Sequence, residues 1–450
     1  MNFASSLLLQ NAQILLPDGN FLKGEVLVQN GKIVEITSQA SQPNTDSALV
    51  IDAKGLTVLP GVIDPQVHFR EPGLEHKEDL FTASCACAKG GVTSFLEMPN
   101  TRPLTITQAA LDDKLQRAAV KCLVNYGFFI GATAENLPDL RTAHPVCGIK
   151  IFMGSNHGAL LVEQEEVLDK IFYRDVADPT AENRLIAVHA EDQERIRQRR
   201  KLFAGNKNPA VHSEIQDNQA ALQATQLALK LSKRYQRNLH ILHLSTADEA
   251  ELLRQDKPAW VTAEVTPQHL LLNTHAYETL GTLAQMNPPL RSPHDSEVLW
   301  QALLDGVIDF IATDHAPHTL EEKAQSYPQS PSGMPGVETS LPLMLTQAMQ
   351  GRCSVAQVAH WMSTAVAKRY GIPNKGAIAP GYDADLVLVD LTTYRPVLRE
   401  DLLTKCGWSP FEGWSLTGHP VVTIVGGQVV YDHGTLNTTV RGQALQFINP

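Results

Sequence analysis

Gln66 and His68 stand two residues apart in Ile63-Asp64-Pro65-Gln66-Val67-His68-Phe69-Arg70-Glu71-Pro72-Gly73, just after the apolar run Leu59-Pro60-Gly61-Val62. Alternate residues of a strand share a face, so both point into whatever that strand lines. Two histidines at that spacing would clasp a metal ion; here one of the two is a neutral amide. Further along, Lys150 lies in a strand-like run, His189 and His243 end two more, and Asp314 ends another. Neutral imidazole and carboxylate are the usual ligands of Zn2+ and similar ions. A single strand-end histidine is ordinarily a hydrogen-bonded core residue. A series of such groups at successive strand ends points instead to one shared cavity, where a metal activates water and a carboxylate moves the proton.

Converging those residues requires strands that all end at one mouth. The candidates are the strand before His68, then 94–98, 124–129, 148–152, 185–189, 239–243, 260–264 and 308–314, with helical sequence such as 216–237 between several of them. Repeated β-then-α with apolar strands predicts a parallel (β/α)8 barrel, in which functional residues gather at the C-terminal strand ends. Before and after it, short alternating runs broken by Asp18-Gly19-Asn20 and Asn30-Gly31 carry hairpin signals. The same texture returns in 384–390 and 421–431. The expected organisation is therefore residues 1–56 and 373–450 forming one small β-sandwich from both termini, around a barrel over 57–372. The polar segment 320–335 is expected to be a loop over the top face.

Composition narrows the class of function. In a chain of 450 residues, 37 Lys and Arg stand against 48 Asp and Glu, for a net charge of −11, which disfavours a nucleic-acid partner. No apolar run is long enough to span a bilayer, and the N-terminus lacks the charge pattern of a signal peptide. Of six cysteines only Cys85 and Cys87 are close, on a predicted helix where they diverge. Disulfides are not expected, and a reducing cytoplasm fits.

These segments resemble the amidohydrolase superfamily and, within it, the dihydroorotases. The resemblance is carried by Gln66-Val67-His68-Phe69-Arg70-Glu71-Pro72-Gly73, Met98-Pro99-Asn100-Thr101, Gly148-Ile149-Lys150-Ile151-Phe152-Met153-Gly154-Ser155 and Val188-His189-Ala190-Glu191-Asp192. It continues through His243-Leu244-Ser245-Thr246-Ala247, Met286-Asn287-Pro288-Pro289-Leu290-Arg291, Asp314-His315-Ala316-Pro317-His318 and 333–339. The resemblance implies a metal-dependent barrel and reversible hydrolysis of L-dihydroorotate to N-carbamoyl-L-aspartate, a step of pyrimidine biosynthesis. It implies one or two Zn2+ ions, with Lys150 carboxylated by CO2; an unmodified ammonium has no lone pair to offer a metal. His189 and His243 then resemble the ligands of the buried ion, and His68 and Asp314 those of the outer one, Asp314 also moving the proton. Arg70, Asn100 and His318 resemble a site for a substrate carboxylate, and Asn287 a partner of the ring amide. A small-molecule substrate and a homo-oligomer, such as a dimer, are implied partners.

Three places depart from the family pattern. Gln66 replaces the first histidine of the usual pair, and an amide oxygen is a poorer zinc ligand than imidazole; a weaker outer ion, or a single ion, follows. His157 is a nearby candidate to compensate. Gln268 and the stretch Ile215-Gln216-Asp217 also differ, without touching the assigned ligands. Two alternatives remain open at this level. One is a hydantoinase-like cyclic ureide hydrolase, in which an Arg70–carboxylate clamp is not expected. The other is a catalytically silent homologue serving as a structural partner of aspartate transcarbamoylase.

Overall fold

Paired apolar runs at the two ends of the chain build one sheet, and those between them build a closed ring. The fold is known from a computed structural model that describes residues 6–38, 48–155, 158–178 and 182–448. Five strands come from the N-terminal end: β1 (Ser6–Leu15), β2 (Phe21–Gln29), β3 (Lys32–Thr37), β4 (Leu49–Asp52) and β5 (Thr57–Pro60). The β2–β3 hairpin turns through Asn30 and Gly31 at φ of 50° and 77°. Both central residues of a type I′ turn need that left-handed geometry, which is why Asn-Gly marks the hairpin.

Nine parallel strands follow: β6 (Val62–Val67), β7 (Val92–Glu97), β8 (Asn125–Phe128), β9 (Ile130–Gly131), β10 (Ile149–Phe152), β11 (Ile186–His189), β12 (Leu239–Ile241), β13 (Val261–Val265) and β14 (Phe310–Ile311). β8 and β9 are one barrel position interrupted at Phe129, whose N–H donates to Glu97 O at 3.0 Å, so the positions number eight. The ring closes where Val67 bridges His315 and the His68 N–H donates to His315 O at 2.7 Å. This is the expected (β/α)8 barrel. Its strands are buried almost throughout, as parallel strands covered by helices must be.

The C-terminal end adds β15 (Leu386–Asp390), β16 (Arg395–Pro396), β17 (Ser415–Leu416), β18 (His419–Val425), β19 (Gln428–Asp432) and β20 (Thr435–Leu436). The terminal sheet runs β20-β19-β18-β15-β5-β1-β2-β3, with β4 beside β1. Leu7, Leu9, Val26 and Ile33 from its N-terminal half share a core with Leu386, Leu388, Val422 and Ile424 from the other half. The two ends of the chain therefore share one sheet and one core. That sheet takes in Thr57–Pro60, just past residue 56, because β5 pairs with both β1 and β15.

Several elements differ from the sequence-based expectation for local reasons. The eighth strand, expected over 308–314, is only Phe310–Ile311. Thr313 is turned to Asp64 by two hydrogen bonds and Asp314 has a φ of 47°, which no strand residue adopts. The sixth stops at Ile241, before His243 at φ 36°. The helix expected over 216–237 runs Asn218–Tyr235, capped by the Asp217 carboxylate on Ala220 N–H. Segment 320–335 is more than a loop: Leu320–Lys323 is helical, and Lys323, Tyr327 and Met334 are buried. Residues 397–416 leave the terminal sheet; Val397, Cys406, Trp408 and Phe411 pack with Leu272, Tyr277, Met286 and Met334 on the barrel. At the opposite mouth Leu445 joins Ile63, Leu96, Ala187 and Phe310 in a plug. All six cysteines are free. Among the described residues, no helix is long and apolar enough to cross a membrane.

Candidate active site

The C-terminal strand ends open on a cavity of about 420 Å³ lined by Gln66, His68, Arg70, Asn100, Lys150, His189, His243, Asn287, Asp314 and His318. Every site residue expected from the sequence is thus brought to one mouth. His157 lies outside the described residues. Arg70, His243 and Asp314, together with Ser155, hold positive φ angles between 36° and 68°. Such strain in non-glycine residues collects where a side chain must be aimed rather than merely packed.

The donors come as two pairs with a lysine between them. His189 Nδ1 and His243 Nε2 lie 2.9 Å apart. The other His189 nitrogen, Nε2, meets Glu191 Oε2 at 2.7 Å and Ser155 Oγ at 2.9 Å, which puts its proton there and leaves Nδ1 with the lone pair. Burial pushes the His243 pKa well down, so this imidazole is neutral. In the second pair, His68 Nε2 stands 3.1 Å from Asp314 Oδ1. Its Nδ1–H donates to Asn100 Oδ1 at 2.6 Å, again turning a lone pair toward the partner. Asn100, expected at a carboxylate site, orients His68 as well as lining the cavity. Burial holds the His68 pKa below its ordinary value against the opposing pull of Asp314.

Lys150 is fully buried and its Nζ has no hydrogen-bond partner. Burial lowers its pKa to about 7 against the pull of Asp314 and Glu264, so a large share is neutral amine at neutral pH. A neutral amine is the form that reacts with CO2 to give a carbamate, which turns a donor into a pair of acceptor oxygens. The residues fit a metal ion on these grounds. Two ligands of one tetrahedral zinc are about 3.3 Å apart, close to the spacings of both pairs, and Lys150, whose buried Nζ is unpartnered, lines the same cavity. Among the described residues, no three His, Cys, Asp or Glu side chains form a metal cluster by themselves. Lys150 lines the same cavity as both pairs.

Arg70 projects from the loop after β6 and is buried. Its Nε donates to Pro317 O at 3.1 Å, and Nη2 lies 3.3 Å from His318 Nε2. The alternative for this residue, an ion pair with Glu71 or Glu75, is not formed; Glu71 is held by Arg117 and Lys121. Burial lowers the Arg70 pKa to about 10, which leaves it a cation. His318 Nδ1 accepts from Lys77 Nζ at 3.0 Å, so its Nε2–H donates to Ser332 O at 3.0 Å. Burial and the charge of Arg70 take its pKa to about 3, and it stays neutral. Two donors, Arg70 Nη2 and His318 Nε2, therefore face each other, an arrangement that an anionic acceptor completes. Asn287 Oδ1 accepts from His212 Nε2 at 2.7 Å.

Of the supporting residues, Glu191 and Lys323 were given no role from the sequence, and Gln216 and Gln268 stood out only as departures from the family pattern. Glu191 was legible in principle, since the alternation that pairs 66 with 68 also sets 191 beside 189. Gln216, with its amide turned to donate, places Nε2 at 2.9 and 3.0 Å from the two Glu191 oxygens. Gln268 Nε2 donates to Thr313 O at 2.9 Å, next to Asp314. Both departures from the family pattern thus sit one residue away from the donors. Lys323 gives all three ammonium protons to backbone carbonyls, those of Gln285, Pro331 and Gly333, at 2.9 to 3.2 Å. It fastens the 320–335 segment, which supplies Ser332 and Gly333 to the cavity. Trp408 Nε1 donates to His318 O at 2.8 Å and fixes the other side.

Known proteins resemble this chain over nearly its whole length. Residues 57–430 match the amidohydrolase family. A Methanosarcina mazei protein named dihydroorotase is 35% identical over 435 residues, covering 94% of this chain and 94% of its own length. Another of that name, from Bacillus subtilis, is 34% identical over 442 residues, covering 96% and 99%. Among solved structures, an L-hydantoinase (dihydropyrimidinase) from Arthrobacter aurescens superposes with a TM-score of 0.90 at 32% identity, over 96% of this chain and 97% of that one.

Proposed function

We infer that this chain, which belongs to the amidohydrolase family, is a dihydroorotase, interconverting L-dihydroorotate and N-carbamoyl-L-aspartate by hydrolysis of a cyclic amide. The observation that carries the choice of substrate is Arg70, a buried guanidinium with no carboxylate partner, opening on the same cavity as the two donor pairs. A buried cation left unpaired is costly, and a substrate carboxylate supplies the missing charge.

A divalent ion, Zn2+ by the chemistry of these donors, supplies Lewis acidity when bound, lowering the pKa of water and polarising a carbonyl. His189, His243 and carboxylated Lys150 are the residues that hold it, with His68 and Asp314 facing them. Asp314 takes the proton from the attacking water and delivers it to the departing ring nitrogen. Arg70 and His318 grip the substrate carboxylate and so fix the scissile bond relative to Asp314. Asn100 keeps the His68 ring turned toward Asp314, and Asn287, at the far wall, faces the ring amide. In the synthetic direction the same groups act in reverse. The chain acts on a small soluble substrate, and its free cysteines fit the reducing cytoplasm.

The likeness to hydantoinases makes cyclic ureide hydrolysis the second reading. The two separate on substrate: L-dihydroorotate is turned over far faster than 5-substituted hydantoins, and Arg70→Gln lowers kcat/KM for dihydroorotate by about 100-fold while leaving the slow hydantoin activity in place. Equal losses on both substrates, or a preference for hydantoins in the parent protein, reverse the assignment. The silent-partner alternative is opposed by Lys150, since a scaffold has no use for a buried lysine without a hydrogen-bond partner.

Lys323 acts at one remove, by fixing the wall that carries Ser332 and Gly333. Lys323→Met is expected to raise KM about tenfold with a much smaller change in kcat. A general loss of folded protein, with KM unchanged in what remains, shows that Lys323 only stabilises the fold.

A further inference from the structure

We propose that this chain holds one metal ion, at His189, His243 and Lys150, and that Gln66 is what closes the second position. The inference rests on the metal-dependent reading above and concerns how the donors divide. The inner pair is prepared for an ion. His189 Nδ1 and His243 Nε2 converge at 2.9 Å, and Glu191 and Ser155 fix the His189 tautomer from behind.

The outer pair is prepared differently. Asp314 Oδ1, the oxygen that faces His68 Nε2 at 3.1 Å, also accepts the Gln66 Nε2–H at 3.1 Å. A cation between His68 and Asp314 would share that oxygen with the N–H, the positive end of an amide dipole, where an imidazole lone pair would otherwise help to hold it. Gln66 is itself buried, and its backbone N–H donates to Asp64 Oδ1 at 3.3 Å. Turning the amide over presents Oε1, a weak neutral ligand for zinc, and gives up the bond to Asp314. An imidazole at the same place would bring a lone pair and no opposing proton. The outer position therefore keeps His68, a carboxylate already hydrogen-bonded to Gln66 and at most a share of a Lys150 carbamate, with an amide where a second imidazole would hold the ion.

One consequence is that Asp314 remains a hydrogen-bonded carboxylate, held by Gln66 and free to exchange protons with substrate. The test counts zinc in the full-length protein, loaded with Zn2+ and bicarbonate, dialysed against metal-free buffer and analysed by plasma mass spectrometry. The expected result is about one zinc per chain in the parent and about two in Gln66→His, with Gln66→Glu as a second variant should the first fold poorly. Two zinc ions in the parent overturn the proposal while leaving the hydrolase reading intact. One zinc in both well-folded variants removes Gln66 as the cause and also overturns it. No zinc in the parent defeats the metal-dependent reading itself.

Discussion

Asp314→Asn is expected to remove turnover of dihydroorotate by about 1,000-fold or more, with no loss of folded protein. The asparagine keeps an Oδ1 that accepts from Gln66 Nε2, so the local hydrogen bond survives. The neighbouring Thr313, not Asp314, carries the bonds to Asp64 that tie β14 to β6. What disappears is a group able to take up a proton from water and hand it to the leaving nitrogen. Steady-state assays beside circular dichroism check this; near-normal turnover in a folded variant removes Asp314 from its role.

The second large effect is at Lys150, where activity and stability are expected to move in opposite directions. Lys150→Met should abolish both turnover and zinc retention, because no other side chain can act as the third donor between the pairs. Yet the metal-free protein should melt no lower than the parent. The parent lysine is fully buried, lacks a hydrogen-bond partner and has its pKa depressed to about 7 by burial. Below that value its charge is confined without compensation; between about 7 and the ordinary lysine range the unfolded state binds the extra proton. In both ranges the lysine works against folding, at an expense of the order of several kcal/mol for an uncompensated buried ion. A methionine of similar length fills the space without it. Thermal denaturation of the two apo proteins checks the sign, and a marked drop in Tm for Lys150→Met would show that the lysine serves the fold.

That opposition explains which parts of the molecule could be read from the sequence. Period-two alternation, Asn30-Gly31 and apolar strand runs are local signals, and they gave the barrel and the two-ended sheet before any coordinates. His68, Lys150, His189, His243 and Asp314 were legible because each breaks an apolar pattern at a strand end, where propensity and packing alone would not place it. Residues acting through others were silent. Glu191 and Lys323 look like ordinary polar residues until tertiary contacts show their partners, and Gln216 stands out only as a departure whose partner is Glu191. Segment 397–416 misled for the opposite reason. It lies between strands of the terminal sheet, yet Trp408 and Phe411 bury themselves against the barrel. Strand ends at 243 and 314 were overextended because left-handed backbone at His243 and Asp314 carries no marker such as glycine.

Everything in the proposed chemistry depends on two imidazoles and a modified lysine sharing a single ion that makes water reactive. Crystals of zinc-loaded protein grown with bicarbonate, measured across the zinc absorption edge, test this most directly. The account predicts an anomalous peak between His189 Nδ1 and His243 Nε2, with planar density continuing from Lys150 Nζ toward it. A peak located elsewhere in the barrel, or an unmodified Lys150 pointing away from an ion bound by other residues, contradicts it.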